Sequence, residues 1–146
     1  MINLKRTSVA SVVAAMIVLL ASPLVFGQNR NQDPAKDPEQ EKKLTEAIDK
    51  LVEKYEMTLK LEDWQTFYAD SILNHDYRAM QEEIMNLSSA KVSNSDLYLN
   101  VQDKWNEKIY DAFKAILTED QFTKFLKMGA GREKKAREKR RQNEGK

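Results

Sequence analysis

The sequence predicts an all-α fold, and three observations carry that expectation. Between residues 39 and 128 there is neither proline nor glycine, so nothing in that stretch is a strong helix breaker. The same stretch is rich in Glu, Lys, Leu, Ala and Gln, the residues that lose least in a helix. Its apolar residues recur at three- and four-residue intervals.

The first element stands apart. Lys5 and Arg6 precede an apolar run from Val9 to Leu20, Pro23 breaks it, and Val25-Phe26-Gly27 suits a cut before Gln28. This is the three-part layout of a secretory signal peptide over 1–27 and places the mature chain in the periplasm or outside the cell. An uncleaved anchor is the competing reading. Val9 to Phe26 is 18 residues, near the lower limit for spanning, and Ser11, Ser22 and Pro23 interrupt it. No cysteine is present, so neither a lipobox nor a disulfide can form, and packing alone must stabilise the 119 residues after the cut.

Residues 28–37 are polar and read as a disordered spacer. Asp37-Pro38-Glu39-Gln40 starts the first helix, about 38–58, with Asp37 as N-cap and Pro38 at the first helical position. Leu44, Ala47, Ile48, Leu51, Val52 and Tyr55 form its apolar face. The second helix opens at Leu61-Glu62-Asp63-Trp64-Gln65 and runs to about 87. Its expected inward stripe is Trp64, Phe67, Tyr68, Ile72, Met80, Ile84 and Leu87. Ser88 to Asn94 is the one clear internal loop, with Ser93 placed to cap the amide of Asp96 and Val92 to staple Leu97. The third helix carries Leu97, Val101, Trp105, Ile109, Ala112, Phe113 and Ile116.

Leu117-Thr118-Glu119-Asp120-Gln121-Phe122 is the strongest local signal. Thr118 and Gln121 form a capping box, Leu117 and Phe122 a staple, and Glu119 and Asp120 sit at the positive end of the helix dipole. The fourth helix holds Phe122, Phe125, Leu126 and Met128, and Gly129-Ala130-Gly131 weakens it. Residues 129–146 read as a basic, partly helical tail that frays for want of anything to bury. Residues 131–146 carry eight basic against three acidic side chains, or +5, and the body 28–130 is left at −6. The spacing suggests intrahelical pairs such as Glu133–Arg137.

Leu61 with Gln65 repeats the spacing of Leu117 with Gln121. Both pairs put a leucine before a helix and a glutamine at its third position. With export, helicity and the lack of cysteine, these motifs resemble the Spy/CpxP family of periplasmic stress proteins, marked by L-T-x-x-Q. The second motif matches fully. The first has Glu62 where the family has threonine. The resemblance covers 38–128. It implies a four-helix, thin, curved helical hairpin assembly that forms a homodimer. It also implies an ATP-independent chaperone for unfolded envelope proteins or, alternatively, a regulatory partner of an envelope stress sensor.

Other chemistries find little support. His75 is the only histidine, and a metal site needs several converging ligands. No nucleophile elbow, phosphate-cradling loop or zinc-protease motif occurs. No enzyme activity, cofactor or metal is therefore expected. Export argues against a nucleic-acid partner for the basic tail. Arg132, Lys134, Lys135 and Arg137 are instead candidates for contact with clients or an anionic membrane surface. Among the aromatic residues, Tyr68, Tyr77, Tyr98 and Tyr110 suit a wet concave face, because each can leave its hydroxyl in water. The first three are the candidate client contacts. Leu61, Gln65, Leu117, Thr118 and Gln121 are assigned to motif and capping roles.

Overall fold

A computed structural model describes residues 37–144. The signal peptide read over 1–27, its cut before Gln28 and the spacer before Asp37 lie outside the described residues. The described chain is all α. Helix α1 spans Pro38–Leu59, α2 Asp63–Ser89, α3 Ser95–Ile116, α4 Glu119–Phe125 and α5 Gly131–Glu144. A π-helical turn, Leu126–Ala130, joins the last two into one broken rod. No described helix is long and apolar enough to cross a membrane.

Each start has a local cause. The Asp37 carboxylate accepts from the Glu39 amide at 3.0 Å, with Pro38 next in line. Lys60, at φ 54°, ends α1 in the left-handed region and turns the chain into α2. At α3 the cap is Asn94, whose side chain accepts from the Asp96 amide at 2.9 Å, and not Ser93. Asparagine, one residue nearer the helix, reaches the same donor with its carbonyl. The shift also defeats the staple expected of Val92, since Leu97 is exposed.

Antiparallel α2 and α3 form the central hairpin, and α1 packs on α2. Leu44, Ile48, Leu51, Val52, Tyr55 and Leu59 of α1 are buried, as the spacing required. An aromatic knot draws α1, α3 and α4 together. Tyr55 meets Phe113 edge-on at 5.2 Å, Phe113 stacks on Phe125 at 5.1 Å, and Tyr55 lies 5.7 Å from Phe125. Arg78 ties α2 to α1 through Glu41 and the Thr45 hydroxyl.

The inward face of α2 differs from the expected one at its N-terminal half. Gln65, Ala69, Leu73, Asp76, Tyr77, Met80 and Ile84 are buried, whereas Trp64, Phe67 and Tyr68 are exposed. Steps of three and four from Gln65 to Ile84 define one continuous stripe, and the small Ala69 lets the helices approach there. The bulky aromatics half a turn away are left outside.

Candidate functional site

The two leucine–glutamine motifs meet, although 56 residues separate their glutamines. Each glutamine first caps its own helix. The Gln65 carbonyl accepts from the Glu62 amide at 3.0 Å, and the Gln121 carbonyl from the Thr118 amide at 3.0 Å. The Thr118 hydroxyl returns the favour by accepting from the Gln121 amide at 3.4 Å. The two side-chain amides then pair reciprocally. Gln65 Nε2 donates to Gln121 Oε1 at 2.7 Å, and Gln121 Nε2 to Gln65 Oε1 at 2.9 Å. Their remaining donors go to the residue before each motif leucine: Gln65 to the Ile116 carbonyl at 2.9 Å, Gln121 to the Lys60 carbonyl at 3.2 Å. Both donors and both acceptor sites of each amide are used. Leu61 and Leu117 are half-buried beside the core. The repeat is thus a quasi-symmetric lock between the α1–α2 and α3–α4 turns.

The basic tail is a full helix held against α3, not a fraying one. Gly129, at φ 125°, breaks the rod and lets α5 turn back. Arg140 forms a two-point fork on Asp103, at 2.7 and 2.6 Å. Glu107 receives Arg137 at 3.0 Å, Lys134 by a direct hydrogen bond and Arg141 at 3.8 Å. Arg137 is only 4% exposed and also lies over the Tyr110 ring, so its partner is on α3 and not Glu133. Ala136 is the only aliphatic residue of α5, so charge rather than apolar burial seats this helix. Burial pushes the Glu107 carboxyl up, but hydrogen bonds from Lys134 and Arg137 outweigh it and hold the group below its usual value.

The aromatic residues excluded from the core form a contiguous outer cluster at the start of α2. Tyr68 is edge-on to both Trp64, at 6.2 Å, and Phe67, at 5.8 Å. Trp64, Phe67 and Tyr68 are 49, 68 and 51% exposed. Glu62, the departure from the threonine of the motif, anchors this cluster: its carboxylate accepts from the Trp64 indole N–H at 2.7 Å. Asp63 and Asp70 stand beside it in sequence, giving the patch an acidic border.

The expected contact residues therefore separate. Tyr68 faces solvent, with Arg132 and Lys135 exposed elsewhere on α5. Tyr77 does not, being 6% exposed in the core, and burial pushes its hydroxyl up to about 12. Arg137 is buried in its ion pair, and Lys134 is half-buried against Glu107. Tyr98 spends its hydroxyl on the Val92 carbonyl at 2.8 Å, pinning the α2–α3 loop instead of meeting water. Trp64 and Phe67 are exposed residues that periodicity misassigned to the core. Asp103 and Glu107, four apart on one face of α3, were a legible partner for the basic stripe of α5. His75 is exposed and bonded to Asp76 at 2.8 Å, and no acidic or histidine cluster fit for a metal occurs among the described residues. No protein-family model matches the chain, and neither the curated proteins nor the solved structures contain a significant match.

Proposed function

We propose that this protein is an exported, ATP-independent holdase that binds unfolded envelope proteins on the outer aromatic face of α2. One observation carries the reading: three contiguous aromatic side chains are left in water by a helix whose inner face is fully packed. Such a cluster offers apolar contact at little entropic cost, since each ring has only two rotatable bonds. Its acidic border favours client segments that mix apolar and basic residues and speeds their encounter. The motif resemblance to Spy/CpxP proteins points the same way, as does the signal-like N-terminus.

The test is light scattering of a chemically denatured client without ATP. The protein is expected to suppress aggregation at near-stoichiometric ratios, and the double variant Phe67→Ser, Tyr68→Ser to lose that suppression while keeping its helical circular dichroism. No suppression at any ratio would overturn the reading and leave a dedicated sensor partner as the alternative.

A further inference from the structure

A cleft of about 190 Å³ opens between α3, the π-helical turn and α5, away from the aromatic face of α2. Its apolar wall includes Tyr55, Phe125 and Met128, all buried. Tyr55 and Tyr77 both line it, 8 and 6% exposed, and neither hydroxyl has a hydrogen-bond partner among the described residues. Fully enclosed side-chain polar atoms without a partner are limited, among the described residues, to Thr66 Oγ1 and Trp105 Nε1. The two phenolic oxygens therefore keep access to open volume, and the cleft supplies it. Buried phenols ordinarily find a partner, so two in one cleft point to something that binds there. A phenol is a protonated donor at neutral pH, and burial pushes both further above the ordinary phenol range.

Charge and size narrow the ligand. Arg132, Arg137 and Arg140 line the cleft beside Asp103 and Glu133, and with Glu107, the partner of Arg137, the cationic and anionic side chains balance. Arg137 and Arg140 are committed to Glu107 and Asp103, but Arg132 has no hydrogen bond or ion pair to any described residue. An apolar protein cavity of about 150 Å³ takes a benzene ring. We propose that this cleft binds a small aromatic monoanion, with its ring against Tyr55, Phe125 and Met128 and its carboxylate drawing on the phenolic donors and Arg132.

Fluorine NMR of 4-fluorobenzoate, with neutral 4-fluorobenzamide as control, tests this on the purified full chain. Saturable broadening of the benzoate signal is expected, with the amide at least about tenfold weaker. Tyr77→Phe and Arg132→Ala should each weaken benzoate binding roughly threefold to tenfold. Tyr77→Phe should leave the melting temperature of the free protein unchanged, because the hydroxyl it removes has no partner in the fold. Lack of saturable binding up to about 10 mM would overturn the site. Equal affinity for the neutral amide, or unchanged affinity in both variants, would do the same.

Discussion

Two polar contacts fasten the C-terminal half of the chain, and they are built from different materials. At the Gln65–Gln121 lock, two neutral amides satisfy each other and two helix turns. At the α3–α5 clasp, Asp103 and Glu107 face Lys134, Arg137, Arg140 and Arg141. The lock contains no titrating group and no net charge, so ionic strength and pH should pass it by. The clasp is a network of charges, and its strength depends on both. Placing a neutral contact beside the core and an ionic one under the last helix makes α5 the conditional part of the molecule.

Breaking the lock should have the largest effect. Gln65→Leu leaves the Gln121 amide, the Ile116 carbonyl and the Glu62 amide short of partners, and is expected to cost about 3 kcal/mol in urea unfolding. That cost should be the same at low and high salt. A loss below about 1 kcal/mol would show that water replaces the amide without penalty. Next comes the clasp. Arg137→Met strips Glu107 of its most buried partner and should cost about 2 kcal/mol at low salt, with a smaller loss near 1 M. A cost indifferent to salt would mean that packing on Tyr110 matters more than the charge. Thr118→Ala removes only the hydroxyl half of one capping box, with about 1 kcal/mol expected.

Acid should produce the smallest and most local change. The folded Glu107 carboxyl lies below its ordinary value of 4.5. Its contribution is therefore complete above about that pH and is lost as pH falls through the depressed folded value. Hydrogen-exchange protection of α5 amides should drop in that acid window while the start of α2 stays protected. Equal loss in both places would remove the distinction between lock and clasp.

Helix positions and caps were largely readable from the chain, because capping chemistry is local. Asp37-Pro38 and Thr118-Gln121 act within their own turns, and both caps stand where the sequence put them. Facing was harder. Trp64, Phe67 and Tyr68 fit a helical stripe as well as Gln65, Ala69 and Leu73 do, and hydrophobicity alone chose the wrong one. A buried glutamine is recognisable only when its partner 56 residues away is known. The tail illustrates the same limit. A helix whose one aliphatic residue is an alanine has no reason to dock until the acids of α3 are placed opposite it.

The distance spanned by the lock has a kinetic consequence. Joining Gln65 to Gln121 closes a loop of 56 residues, which costs about 3.5 kcal/mol of chain entropy by the logarithmic law. Four amide hydrogen bonds, each worth about 1 kcal/mol net, only roughly offset that on their own. The α2–α3 hairpin is therefore expected to form first and to carry the two glutamines together. The lock then closes as a late step, which places it among contacts that slow unfolding more than they speed folding.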